Sequence, residues 1–257
     1  MIRTFRSVFG FYLMLAVRAP RARAFAMLTF LPAVLAVVFR LSFPARSVEV
    51  LGVFSDILVV FYLQFLLIIL ALFYGTSVCS EEIEGKTLAY LTTRPLSKSG
   101  IILGKTAAYA LLSAAIVLIS LAVSFFVMNA GRLSAGEAAG TYLRYGGVLL
   151  LGIAAYTAFF TFLGVLLRKA VIVGLAFGFG WESILQYFPG STQRFSIAHY
   201  LKSLLPFTPK AQGFSLLTFR LEPTSDAMSL VALLLITGVF LTLACLVFRF
   251  KEYISEE

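Results

Sequence analysis

The feature that most constrains this chain is a series of long apolar runs. A helix needs about 20 apolar residues to cross the hydrocarbon core of a bilayer. Six stretches approach or exceed that length: 24–39, 57–78, 103–128, 146–167, 170–188 and 228–248. Inside lipid, each backbone N–H and C=O must find its partner within the protein, which a helix achieves segment by segment. The expected fold class is therefore an all-α polytopic membrane protein with six transmembrane helices. Composition agrees: 60% of residues are hydrophobic and 13% are charged, against ~25% charged in a soluble domain. Residues 1–257 are expected to form a single transmembrane domain. The first run is short and holds Pro32, which removes a helix hydrogen bond and predicts a kink.

The charges orient these runs. Arg3, Arg6, Arg18, Arg21 and Arg23 precede the first run, and Lys86, Arg94, Lys98 and Lys105 lie between the second and the body of the third. Arg168 and Lys169 separate runs four and five, and Arg249 and Lys251 follow run six. These are 13 of the 21 basic residues, on one side and mostly in short segments. The excess of Lys and Arg marks the cytoplasmic side. Both termini are thus expected in the cytoplasm, with the chain in the plasma membrane, which for a bacterium is the inner membrane. The net charge of +9 is read as topology signal and not as a nucleic-acid surface. Cys79 and Cys245 fall at cytoplasmic span ends, far apart in sequence, and have no metal-ligand spacing.

Residues 1–20 have a basic start and an apolar stretch, as a signal peptide does. Three arginines follow at once and no small-x-small cleavage site precedes them. Phe5, Phe9, Tyr12 and Ala16 recur at helical spacing, with Arg3, Arg6 and Gly10 on other faces. The expectation is an amphipathic helix lying in the cytoplasmic interface, ended by Pro20.

The most polar stretch is 80–105. Three of the twelve acids, Glu81, Glu82 and Glu84, crowd its start. Thr87 to Thr93 is long enough for two helical turns, with Leu88 and Leu91 on one face and Pro95 as the stop. This predicts a short surface helix, acidic at its N-terminus, where acids suit the helix dipole. Gly-Lys-Thr occurs at 85–87 and at 104–106, but a phosphate-binding loop needs a glycine five positions earlier, where Ser80 and Ser99 stand. ATP binding by that route is excluded.

The pattern Glu82, Glu84, Gly85, Thr87, Leu88, Leu91, Pro95, Leu96, Lys98, Ile101, Leu103, Gly104, Lys105 resembles the signature of type-2 ABC transporter permeases. It is most similar to the branch holding the permease of the nitrous-oxide-reductase maturation exporter and the sodium-exporter-like permeases. The resemblance implies an interfacial N-terminal helix, six spans, and a cytoplasmic coupling helix between spans two and three that docks on a separate ABC ATPase subunit. Here the coupling residues would be Glu81, Glu82, Glu84, Gly85, Thr87, Leu88, Leu91, Arg94 and Pro95. Two permeases and two ATPases make such an exporter. ATP and Mg belong to the ATPase, so this chain is expected to carry no cofactor and not to be an enzyme itself.

Glu182 lies twelve residues into the fifth run, ~18 Å along a helix. A carboxylate at such depth is costly and usually faces a polar cavity or partner. It reads either as a group lining or gating the pathway, or as a hydrogen-bonded structural residue, with Gln64, Gln186 or a backbone group as partner. Gly174 and Gly178 make a small-xxx-small face. The resemblance places span five near the two-fold axis, so these glycines are expected at a dimer interface. His199, within an apolar-faced short helix, is expected at the surface or interface, with no constellation for catalysis or metal. The substrate is not written in the sequence, and the 39-residue outer loop, 189–227, offers room for an accessory protein. Two other classes compete. A secondary transporter usually carries several intramembrane charges and internal repeats, and a membrane-embedded enzyme needs clustered catalytic or metal-binding residues.

Overall fold

The computed structural model describes residues 2–42, 50–84, 97–129, 134–187, 191–205 and 224–250. Every regular element among them is helical. Helix α1 (Ile2–Arg18) stops where Pro20 opens α2 (Pro20–Thr29). Proline has no N–H with which to extend α1, yet it suits a first turn. The rod breaks again at Phe30, and α3 follows (Leu31–Ser42). Pro32 has no N–H to give to the preceding turn. Phe30 closes that turn instead, donating to Ala26 and Met27 at 3.2 Å. This break is the kink expected in the first run.

Helix α4 (Val50–Ile57), a π-helical stretch (Leu58–Leu66) and α5 (Leu67–Glu84) form one continuous rod. Helices α6 (Lys98–Asn129) and α7 (Ala135–Leu166) have 32 residues each. Helix α8 (Ala170–Leu175), a second π stretch (Ala176–Trp181) and α9 (Glu182–Tyr187) make a shorter rod. A 3-10 turn (Ser191–Phe195), α10 (Ile197–Ser203) and α11 (Asp226–Phe250) complete the order.

Among the described residues, five helices are long and apolar enough to cross a membrane: Pro20–Ser42, Phe54–Cys79, Lys98–Asn129, Gly136–Leu166 and Asp226–Phe250. They coincide with five of the expected spans. The other expected span, 170–188, is a shorter apolar helix, Ala170–Leu185, with the π stretch in its middle. Two helices overshoot their apolar runs. Helix α6 begins at Lys98, not at 103, and α7 at Ala135, not at 146. Hydropathy marks what sits in hydrocarbon, whereas capping marks where a helix starts. Ser134 and Glu137 supply that cap reciprocally, each side chain accepting the other's N–H, at 3.4 and 3.1 Å.

The centre of the bundle is α5 against α7. A Cβ on Gly164 would lie 2.8 Å from the Thr76 Cα and carbonyl oxygen, and one on Gly75 would lie 2.8 Å from Phe160 Cβ. Backbone therefore packs on backbone, as small residues allow. Helices α6 and α11 close over this pair, and α1 and α3 lie on α6. Buried hydroxyls join the layers. Tyr62 in the first π stretch bonds Ser120 and Ser124 of α6 at 2.8 and 2.9 Å, and Ser120 donates to the Thr29 carbonyl.

The two ends of the bundle differ. Lys98 Nζ donates to the Arg249 carbonyl at 3.5 Å, and a Cβ on Gly104 would meet the Phe5 carbonyl at 3.0 Å. The ends of α5, α7 and α11, the start of α6, and α1 thus share one end, here called the basic end. At the far end, Arg40 reaches the Val127 carbonyl at 2.5 Å.

Candidate functional site

Two polar constellations stand out, one at each end. At the far end, Glu182 opens α9 and is 1% exposed. Its Oε1 accepts the Ile197 N–H at 3.0 Å. Its Oε2 accepts the Ala198 N–H at 3.3 Å and the Ser196 hydroxyl. These donors begin α10. First-turn amides have no partner inside their own helix, and a carboxylate complements the positive end of the helix dipole. Ser196 also caps the helix, accepting the His199 N–H at 3.3 Å.

Each residue of α10 is buried. Leu201 fills a notch at Gly152 of α7, where a Cβ would lie 3.0 Å from Leu201 Cδ1 and 2.6 Å from Leu67 Cδ1. The far side of α10 is tied to the residue pair before α11. His199 Nε2 meets Thr224 Oγ1 at 2.9 Å, Thr224 N–H donates to Ser203 Oγ at 3.3 Å, and Ser203 donates to the His199 carbonyl at 2.9 Å. Lys202 is buried too. Burial pulls its ammonium down to about 8, and the Glu182 carboxylate pulls it back up. Tyr156 of α7 lies beside the same carboxylate.

Of the partners expected for Glu182, backbone groups are the ones that take its oxygens here. Gln64 sits half-buried in the first π stretch. The expectation for His199 is corrected: it is 3% exposed, held inside because Thr224 gives its ring a polar partner. Gly174 and Gly178 are corrected as well. A Cβ on Gly174 would lie 2.3 Å from Leu72 Cδ1, and one on Gly178 would lie 2.5 Å from Ile68 Cγ2, with the Phe160 ring beside both. Their open face is filled by this chain's own α5 and α7, which leaves it no room for a second copy.

At the basic end, Lys105 is fully buried among aromatic rings. Its Nζ lies 4.6 Å from the Tyr12 ring centre and 5.8 Å from that of Tyr109. The Arg21 guanidinium lies 5.4 Å from the Tyr109 ring centre and 5.6 Å from that of Tyr74, and it donates to Tyr109 Oη at 3.2 Å. Cations over aromatic faces are favoured, more so when desolvated. This cluster knots α1, α2, α5 and α6 together. The face of α1 that docks includes Val8, Tyr12 and Ala16.

Glu81, Glu82 and Glu84 form the last turn of α5. This corrects the expectation that they open a separate helix: the rod of span two continues through them. Gly85, Thr87, Leu88, Leu91, Arg94 and Pro95 lie outside the described residues. Lys105 and Gly104 appear in the sequence pattern, but the pattern says nothing of the Tyr12 ring or the Phe5 carbonyl they meet. Among the described residues, no group of three or more His, Cys, Asp or Glu is placed to hold a metal ion.

The chain matches the family model described as ABC-2 family transporter protein over residues 22–253. Comparison with curated proteins gives no match.

Proposed function

Because the chain belongs to the ABC-2 family of transporter proteins, we propose that it is the membrane-spanning permease subunit of an ATP-driven exporter, and that a separate ABC ATPase supplies the energy. The permease role follows from the family. The observation that carries the coupled reading is the basic end: the span-two rod delivers Glu81, Glu82 and Glu84 beyond the apolar helix, beside the end where α1 and α6 are knotted. The segment from Glu82 to Pro95 docks on the ATPase, with Leu88 and Leu91 in an apolar groove and Arg94 at the rim. ATP and Mg bind to that partner. Two copies of the permease assemble, joined by a surface other than the Gly174–Gly178 face. The chain is multi-pass, with both termini and Arg168–Lys169 on the cytoplasmic side of the plasma membrane, and α1 lies at that interface among lipid headgroups. Glu182 and Gln64 belong to the far end of the translocation route. An accessory protein on the outer side is compatible with 189–227.

Charge reversal tests the docking. Breaking a buried charge pair at an interface costs ~2–5 kcal/mol. The double variant Glu82→Lys, Glu84→Lys is expected to lose the ATPase on purification, or to leave its hydrolysis indifferent to the permease. Wild-type assembly and coupled transport in that variant would refute the docking role.

A further inference from the structure

We propose that α10 is a movable plug in the far half of the bundle and that Glu182 is its latch. The proposal rests on the permease reading and adds a moving part to it. Four observations carry it. First, α10 has seven residues, too few to hold a helix alone, so its place depends on what grips it. Secondly, the grip is polar and sits at its two ends: the Glu182 carboxylate on Ser196, Ile197 and Ala198, and His199 with Ser203 on Thr224. Thirdly, every residue of α10 is buried, and Leu201 fills the Gly152 notch of α7.

The fourth observation concerns where the latch is mounted. Glu182 is the residue that closes the second π stretch, its N–H bonding the Phe177 carbonyl five residues back. π turns are rare and concentrate at functional sites. Conversion of this wide turn to an α turn rotates the following helix by about 100°, the angle per residue of an α-helix. That rotation carries the carboxylate away from the α10 amides. The other π stretch touches it, with the Phe65 and Phe179 rings 6.2 Å apart. That stretch continues without a break into α5 and its acidic end. The rod that meets the ATPase in the proposed complex therefore runs directly to the turn that aims the latch. Tyr156 and Lys202 lie beside the same carboxylate, while His199 holds the other side of α10 to Thr224.

Accessibility reads this out without knowledge of the substrate. The background is Cys79→Ala with Cys245→Ala, and the reporter is Ala198→Cys, at a site 1% exposed. The permease–ATPase complex in lipid nanodiscs is treated with a hydrophilic maleimide, with and without ATP and vanadate. Slow labelling is expected at rest, at least tenfold faster labelling with nucleotide, and a comparable rise without nucleotide in Glu182→Leu. Glu182→Gln and Ser196→Ala, which disturb packing less, are expected to give intermediate rises. Labelling that nucleotide leaves unchanged in a complex that hydrolyses ATP overturns the plug, whatever the variants do, and leaves the permease reading intact. Nucleotide-dependent labelling that none of the three variants alters at rest overturns Glu182 as the latch. Purification of the chain with no ATPase overturns the permease reading, and the plug falls with it.

Discussion

Single glycines set the helix spacing in this bundle, and they do so unequally. Gly164 faces the Thr76 backbone at 2.8 Å, and a backbone carbonyl has nowhere to retreat. Gly238 has nothing within 4 Å. Gly164→Leu is therefore expected to destabilise the purified protein by about 1–3 kcal/mol, the usual cost of overpacking, seen as a lower melting temperature in detergent. Gly238→Ala is expected to leave it unchanged or slightly raised, since Ala is the better helix former. Equal behaviour of the two would contradict the backbone-on-backbone packing of α5 and α7. Nothing in the sequence distinguishes these glycines. Gly174 and Gly178 drew notice through their spacing, yet that spacing reports only closeness to a helix, not whose helix. Glu182 was legible as an anomaly because a carboxylate in an apolar run is expensive. Its partners were not, since Ser196 and the α10 amides lie fourteen to sixteen residues away in sequence.

The elements were more legible at their centres than at their ends. Apolar runs located five spanning helices because hydropathy measures the property that selects them. The Ser134–Glu137 capping box was present in the sequence but outside any apolar run, so α7 starts earlier than hydropathy alone suggests. The π stretches left no sequence mark, because a wide turn is fixed by tertiary contacts such as Tyr62 with Ser120 and Ser124. Helix α1 shows both sides of this. Of the residues its spacing singled out, Tyr12 and Ala16 dock, with Val8 beside them, whereas Phe5 stays exposed; the cation that the docked face covers, Lys105, was visible only as a topology charge. Lys105→Met keeps the length of the side chain and removes the charge. A desolvated cation–π contact is worth up to about 2 kcal/mol, so amide hydrogen exchange in Ile2–Arg18 is expected to rise by roughly tenfold, about 1.4 kcal/mol. Unchanged exchange there would show that apolar contact alone holds α1 to α6.

At the scale of the whole molecule, the bundle is polarised. Its basic end carries the arginine and lysine clusters, the docked N-terminal helix and the acidic end of the span-two rod. Its far end carries a buried plug helix held by a carboxylate. The rod from Val50 to Glu84 joins the two, which is the layout an exporter driven from one side requires. The central claim is that the work comes from another subunit. Affinity purification of the chain from its native cells, in mild detergent and with the subunits identified by mass spectrometry, tests this most directly. The account predicts an ABC ATPase at one copy per permease, with ATP hydrolysis that depends on the Glu82–Glu84 acids. A chain that purifies without any nucleotide-binding subunit, yet transports in response to an ion gradient alone, would contradict it.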